Sequence, residues 1–244
     1  MTPELPPLHE DLAVLAPLSP ERTRRLAAFA GGAGGHVVDV GCGWAHLLLT
    51  ALELSPSAHG TGIDVDAAAL AHARLLAQQR GLADRVTFVE GEGAAHASGP
   101  VDAVVSVGAR HVWGADDAAA LTALRSIVRT GGRVVYGDGI WSREPTAAAT
   151  TALGGDPGEY GSLADVAETA VASGFRVLSV AEAGQDEWDA FESGYSAGYE
   201  RWLVANPGHP EADVIRQRAH EHRSAYLRGY RGILGHAFLE LVAV

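Results

Sequence analysis

The segment Val37-Val38-Asp39-Val40-Gly41-Cys42-Gly43-Trp44-Ala45 carries the densest chemical information in the chain. An apolar run leads into Gly-x-Gly, where the missing side chains let the backbone turn sharply and let a ligand approach the main chain. The helical pattern that follows adds the partial positive charge of a helix N-terminus. A dinucleotide fingerprint requires Gly-x-Gly-x-x-Gly, and its last position here is His46. Asp39 stands two positions before Gly41. Its carboxylate would repel a pyrophosphate and attract a ligand carrying an ammonium group and a sulfonium, as adenosylmethionine does. Asp64, in Gly62-Ile63-Asp64-Val65-Asp66, lies at the edge where a ribose would sit and can accept from both ribose hydroxyls, which suits either ligand. Glu92, in Glu90-Gly91-Glu92-Gly93-Ala94, is a candidate acceptor for an adenine amino group; an ordinary surface glutamate is the plainer reading.

A second group of residues suits an acceptor. His111 follows an apolar run in Ser106-Val107-Gly108-Ala109-Arg110-His111-Val112-Trp113. It can take a proton from a hydroxyl or an amine, or it can order its loop through a backbone bond. Trp141, in Tyr136-Gly137-Asp138-Gly139-Ile140-Trp141, ends another strand, and strand carboxyl ends face the ligand crevice of doubly wound sheets. Asp138 reads as a turn former or a substrate acceptor. Trp188, Phe191, Tyr195, Tyr199 and Trp202 recur at helical spacing and share one face, either as a core stripe or as a lid over an apolar or cationic acceptor. Arg216, Arg218, Arg223, Arg228 and Arg231 form the one basic tract, a solvated face or a contact for an anion.

The elements that must position these residues alternate. Strands are expected at 36–40, 60–65, 85–90, 101–107, 132–138, 175–180 and 236–244. Helices are expected at 19–29, 45–54, 66–80, 116–129, 162–173, 185–205 and 211–229, with a long loop at 142–161 holding one helical turn. Strands alternating with helices of ten to fifteen residues indicate βαβ units and an α/β, mostly parallel, doubly wound sheet. The strands are nearly all apolar, as helices on both faces require.

The order of these segments resembles the class I S-adenosylmethionine-dependent methyltransferases. Residues 37–45 resemble their first motif, 62–66 the acidic end of the second strand, 90–94 the short acidic-Gly motif, 101–106 the fourth strand, and 124–133 the helix and Gly-Gly turn before strand five. The resemblance covers roughly residues 36–140. It implies a Rossmann-like seven-stranded sheet with an antiparallel last strand. It also implies a cofactor, S-adenosyl-L-methionine, held by Asp39, Gly41, Gly43, Trp44, Asp64, Val65, Glu92, Gly93 and Ser106. His111 would then be the general base, and Trp113, Trp141, Trp188, Tyr195 and Tyr199 would line the acceptor. Ala45 stands where the family usually has a third glycine. Asp186-Glu187-Trp188 and Arg201-Trp202-Leu203-Val204-Ala205-Asn206-Pro207 also resemble a little-characterised group of bacterial methyltransferase-like proteins.

Composition bounds the remaining readings. Two hundred and forty-four residues suit one domain: an N-terminal cap helix in 1–35, a cofactor half at 36–140, and a substrate half at 141–244 whose helices 185–229 act as a lid. A formal charge of -12 argues against a nucleic-acid binder, because neutralising phosphates needs a basic footprint. All eighteen basic residues are arginine, which excludes Schiff-base and pyridoxal chemistry and a Walker-type lysine. One cysteine excludes an internal disulfide and a cysteine zinc cluster, and no metal is expected. No apolar run approaches a membrane span, and Met1-Thr2-Pro3-Glu4 lacks a positive n-region, so a cytoplasmic monomer or homodimer is expected. The expected partner is a small-molecule acceptor. RNA or protein methylation, or cofactor binding without catalysis, are the alternatives.

Overall fold

Apolar runs bounded by glycine turns become strands, and the periodic segments between them become helices. The computed structural model describes residues 12–114 and 116–244; the Pro-rich start at 1–11 lies outside these. In chain order the elements are α1 (Pro20–Gly31), β1 (Gly35–Val40), α2 (His46–Leu54), β2 (Ala58–Asp64), α3 (Ala67–Gln79), β3 (Val86–Glu90), α4 (Gly93–His96), β4 (Val101–Val107) and α5 (Asp117–Ile127). There follow β5 (Val128–Trp141), α6 (Ala147–Leu153), α7 (Leu163–Ala172), β6 (Phe175–Glu182), α8 (Gln185–Ala205), α9 (Ala212–Ser224), a π-helical stretch Ala225–Tyr230, and β7 (Leu234–Ala243).

The sheet order is β3-β2-β1-β4-β5-β7-β6. Pairs β1/β2, β1/β4, β2/β3 and β4/β5 are parallel, and β7 runs antiparallel to β6. This is the doubly wound, seven-stranded arrangement with an antiparallel last strand. The chain crosses over between β3 and β4, so β1 and β4 are neighbours and the strand order reverses beside β1, where such sheets open a crevice.

Local chemistry explains the element ends. Ser19 Oγ accepts from the Arg22 N–H, with Pro20 at the first helical position of α1. Asp66 caps α3 through Ala68 and Ala69, and Asp116 caps α5 through Ala119. Ser162 and Asp165 form a capping box on α7. Ala120, Leu121, Leu124 and Ile127 of α5 turn one face onto the sheet core with Val104, Val134 and Phe175. Burying each of the larger side chains contributes about 1.5–3 kcal/mol.

Several elements differ from the sequence expectation, among them the short helix α4, which was not expected, and three others. β5 starts at Val128 rather than 132, because Val101 pairs with Val128 and Ala103 with Arg133, so the Gly131-Gly132 pair forms an irregularity inside the strand. The 142–161 segment holds the two-turn helix α6, capped by Thr146 and ended by Gly154 at φ +66°. The last long helix changes to π-helical winding at Ala225.

The chain divides into two compact units. The sheet unit comprises residues 19–140, 160–182 and 236–244; the helical unit comprises 141–159, 183–235 and the described part of 1–18. Helix α1, expected among the cap elements, belongs to the sheet unit. There Gly31 lets it approach the α2 backbone: a Cβ at Gly31 would stand 2.5 Å from the Ala51 carbonyl oxygen. Among the described residues no helix is long and apolar enough to cross a membrane.

Candidate functional site

In the sheet unit, the chain leaves β1 through three left-handed residues: Gly41 at φ +69°, Gly43 at +51° and Ala45 at +56°. The N–H groups of Gly41 and Cys42 both donate to the Ile63 carbonyl, at 2.9 and 3.0 Å, which pins the turn to the end of β2. A Cβ on Gly41 would stand 2.7 Å from Ala109 Cβ, so a side chain there would drive away the loop after β4. Ala45, in place of the third glycine, is fully buried and pays the left-handed penalty of about 1–2 kcal/mol. Strain of this kind concentrates where backbone meets ligand.

Two acids flank the turn. Asp64 ends β2 and accepts the Gly43 N–H on Oδ2 at 2.7 Å and the Asp66 N–H on Oδ1 at 2.9 Å. Each oxygen keeps a second lone pair. Asp39 is 4 % exposed, and its pKa is pushed up to about 7, chiefly by burial and then by the charge of Asp64, against a bond from the Leu48 backbone. Two carboxylates thus share a poorly solvated rim whose cheapest neutraliser is a cation. Burial, with Asp39 and Asp64 nearby, also drives the Cys42 thiol far up, so it is held protonated and is no nucleophile.

The other residues expected at the cofactor separate into two groups. Trp44 is half-buried beside the turn, its ring 4.9 Å from His72. Val65 and Glu92 are exposed, and Gly93 is buried where a Cβ would meet Val40 and Val112 at 2.5 and 2.7 Å. Glu92 is the N-cap residue of α4, and its carbonyl accepts from the His96 ring. These residues surround the carboxyl ends of β1, β2 and β3. Ser106 does not join them: it has no exposed surface, and its hydroxyl accepts the Trp113 indole N–H at 3.3 Å. Its place is behind Trp113, which in turn packs on the sheet core instead of standing free as an acceptor wall.

His111 is exposed on a single turn of 3₁₀ helix, Arg110–Val112. The turn is fixed from beneath: the Arg110 N–H donates to Asp138 Oδ2 at 2.9 Å, and the Gly139 N–H holds Asp138 Oδ1 at 2.8 Å. Asp138 therefore ties the β4 loop to β5. Sequence reasoning missed the cluster under this turn. The buried Arg110 guanidinium lies 4.9 Å over the Tyr160 ring and 3.7 Å from Asp117 Oδ2, and Tyr136 donates its hydroxyl to Asp117 Oδ1 at 2.5 Å. Burial raises the pKa of both Asp117 and Tyr136. His236, also buried, is pushed down to about 4 by its burial and is neutral.

In the helical unit the aromatic face of α8 is not a uniform stripe. Tyr199 packs with Ile215 and Ala219 of α9, and Trp202 lies against them. Tyr195 stacks on His222, centroids 4.7 Å apart at 12°. Trp188 is buried, edge-on to Phe191 and Tyr230, and its indole nitrogen has no hydrogen-bond partner among the described residues. Trp141 is buried and donates to the Pro157 carbonyl at 2.8 Å, tethering the segment that precedes α7. Of the basic tract, Arg216 pairs with Asp213, Arg223 with Glu200 and Arg231 with Asp189.

Known proteins are similar to this chain in sequence and fold. Residues 37–132 match the family model described as a methyltransferase domain. The chain is 27 % identical over 220 residues to YjhP of Escherichia coli K12, covering 86 % of this chain and 85 % of that one. A structure from Geobacter sulfurreducens, a SAM-dependent methyltransferase in complex with S-adenosyl-L-homocysteine, matches with a TM-score of 0.81 and 27 % identity over 95 % of this chain and 94 % of that chain. A SAM-dependent methyltransferase from Thiobacillus denitrificans, also in complex with S-adenosyl-L-homocysteine, gives 0.81 and 28 % over 96 % and 95 %.

Proposed function

We propose, for a chain that is a class I S-adenosylmethionine-dependent methyltransferase, that the methyl group goes to a small molecule, at oxygen, nitrogen or sulfur. The observation that carries the cofactor part of this reading is the pair of carboxylates, Asp39 and Asp64, on the glycine turn after β1. A buried acid whose pKa is raised beside a second acid suits a cationic ligand and repels a phosphate.

The bound cofactor supplies an electrophilic methyl on a sulfonium. The chain's own residues hold and orient. Gly41 and Gly43 leave the main chain open to close approach, and Asp39 offers its charge to the cationic end. Asp64 accepts the ribose hydroxyls on its second lone pairs, and Glu92 accepts from the adenine amino group. Trp44 and Val65 would cover the nucleoside, and Gly93, packed on Val40 and Val112, would seat the short helix that begins after Glu92. His111 takes the proton of an acceptor hydroxyl or amine. An acceptor that arrives deprotonated needs only positioning.

The formal charge of -12 supports a small acceptor over RNA, as does the pairing of Arg216, Arg223 and Arg231 with carboxylates, which leaves the basic tract locally compensated. The test is single-turnover incubation of the full chain with methyl-labelled adenosylmethionine and a fractionated cell extract. Label is expected in the low-molecular-weight fraction. Label in RNA or protein instead rejects the small acceptor, and no label in any fraction favours a binding protein without catalysis.

A further inference from the structure

The helical unit holds a cavity of about 450 Å³ against α8, α9 and the π-helical stretch, and Glu192 and His222 stand in its wall. Glu192 is 6 % exposed and accepts the Tyr230 hydroxyl on Oε1 at 2.8 Å. Its other oxygen, Oε2, comes to 2.8 Å from His222 Nε2 without the alignment of a hydrogen bond, and neither atom has a hydrogen-bond partner among the described residues. Tyr195 stacks on the same imidazole, and Tyr230 holds the other carboxylate oxygen, so neither group turns freely to close the gap. A buried carboxylate oxygen without a donor is costly, and in a folded protein such an atom calls for a group that completes it. The π-helical winding, closed by the Arg231 N–H on the Tyr226 carbonyl, aims both Tyr226 and Tyr230 at carboxylates of α8. Local π-helix in an α-helix is frequently found at functional sites.

The charges around the cavity decide the sign of what fits. Arg231 grips both oxygens of Asp189 at 2.8 and 2.7 Å, and Arg223 meets Glu200 at 2.6 Å. Both arginines are exposed, so solvent and a paired carboxylate already compensate them. Glu192, buried, has neither that exposure nor an aligned cation. The unspent groups beside it are acceptors. Ser196, one helical turn further along α8, donates its hydroxyl proton to the Glu192 carbonyl at 3.2 Å and keeps its oxygen lone pairs. In either neutral tautomer of His222 one ring nitrogen is an acceptor. Leu227, exposed, and the Tyr226 ring supply apolar surface in the same wall. A buried carboxylate with spare acceptors around it selects a ligand that brings donors and positive charge. Among the described residues no group of three or more His, Cys, Asp or Glu could hold a metal ion, and the volume far exceeds one water, so the fitting cation is an organic one.

We propose that this cavity is a binding site for a small organic amine in its ammonium form, its charged head on Glu192 Oε2, with Ser196 Oγ and a His222 ring nitrogen as further acceptors, and its carbon body on Leu227 and Tyr226. An ammonium carries three N–H donors and so can engage all three acceptors. The site lies wholly in the helical unit and stands apart from the methyl-transfer reading.

The test is a nuclear magnetic resonance titration of the full chain, labelled in its histidine side chains, with benzylamine and hexylamine at neutral pH. Saturable shifts of the His222 ring signals are expected. Benzyl alcohol, of the same shape without the charge, should bind roughly tenfold more weakly, and benzoate should give no saturable shift. Glu192→Gln keeps an oxygen for Tyr230 and removes the charge, so it should weaken benzylamine roughly tenfold or more. Ser196→Ala, a milder change should Glu192→Gln fail to fold, should weaken it roughly threefold to fivefold. Asp213→Asn, an exposed carboxylate of α9 outside the cavity, should change nothing. Because the glycine turn after β1 also suits a cation, Asp64→Ala is titrated in parallel and should keep benzylamine binding, while Glu192→Gln should keep the parent's adenosylmethionine affinity. Absence of a saturable shift with either amine overturns the proposal. So does equal affinity for benzyl alcohol or benzoate, or a loss in Asp213→Asn as large as in Glu192→Gln or Ser196→Ala, which would reduce the effect to bulk charge. Binding lost in Asp64→Ala and kept in Glu192→Gln would move the amine to the glycine turn and overturn it as well.

Discussion

The Gly43 N–H donates to Asp64 Oδ2 at 2.7 Å, so the acid at the end of β2 shapes the turn at the end of β1. With the Asp66 N–H on its other oxygen, Asp64 is held in one rotamer before any ligand arrives. Its ordering cost is met by the fold, and its second lone pairs are presented in fixed directions.

On the proposed reading Asp64→Ala loses a ligand acceptor, and it also loses a support of the glycine turn. Adenosylmethionine affinity should fall by ~1–3 kcal/mol, the range for a charge-assisted hydrogen bond. Calorimetric titration measures it, and an unchanged affinity rejects the ribose assignment. Asp64→Asn, which keeps one acceptor oxygen, should lie between the two.

On the proposed reading Asp39 should make adenosylmethionine binding dependent on pH. Its pKa in the free protein is about 7, raised by burial and by Asp64, so below neutrality the site holds a proton. A cationic ligand favours the ionised form, and binding must release that proton. Affinity should rise with pH up to about 7 and level off above it, with proton release seen calorimetrically in buffers of different ionisation enthalpy. The stability of the free protein follows the opposite slope. Between the ordinary carboxylate range and about 7 the folded chain binds more protons than the unfolded one, so this group costs stability as pH rises through that window. Asp39→Asn should melt higher than the parent at about pH 8, lose that advantage at about pH 4, and bind adenosylmethionine at least roughly tenfold more weakly. A mutant with unchanged affinity at all pH values rejects the role.

Gly41→Ala tests the turn itself. The residue sits at φ +69°, and its new Cβ would stand 2.7 Å from Ala109 Cβ. The left-handed conformation alone costs about 1–2 kcal/mol, and the clash adds to it by moving the loop that carries His111. A lowered melting temperature with weakened cofactor binding is expected. Gly81→Ala gives the control: φ is +67° there too, but nothing lies within 4 Å of the added Cβ, so it should cost stability and leave binding alone.

Tyr136→Phe probes the cluster below the His111 turn. Asp117 sits with its carboxylate disfavoured by burial, and the Tyr136 hydroxyl is its nearest donor. Arg110, at 3.7 Å, does not replace it. Leaving that oxygen unsatisfied should cost about 1–3 kcal/mol, a fall of roughly 2–12 °C in melting temperature for a chain of this size. A second change, Asp117→Asn, should recover part of the loss, because a neutral amide is cheaper to bury. No recovery would place the cost in packing instead.

The sheet was legible because its strands are continuous apolar runs and its turns are written in glycine. The acids at Asp39 and Asp64 were legible because each follows such a run at a strand's carboxyl end. Ser106 misled for the same reason: in a strand buried on both faces, sequence does not say which side a small residue takes, and only the Trp113 indole decides it. The β5 irregularity escaped because Gly131-Gly132 reads equally as a turn before a strand or a break within one. Glu192 and His222 lie thirty positions apart on different helices with no shared motif; their pairing depends on how α8 meets α9. The switch to π-helix at Ala225 leaves no mark on side-chain periodicity short enough to notice in six residues.

His111 admits two roles that the structure helps to separate. A loop-ordering histidine would bond to a neighbouring backbone group, but His111 is exposed and makes no hydrogen bond among the described residues. The loop is ordered instead by Asp138 through Arg110 and Gly139. The imidazole is therefore free to exchange a proton with an acceptor, and removing it should spare the fold. His111→Ala should keep the parent's melting temperature and adenosylmethionine affinity while turnover falls roughly 10²-fold or more, the usual contribution of a positioned base. The loss should shrink as pH rises, because a more ionised acceptor needs less help. Turnover equal to the parent at neutral pH would remove His111 from the chemistry and leave positioning as the chain's whole contribution to the transfer.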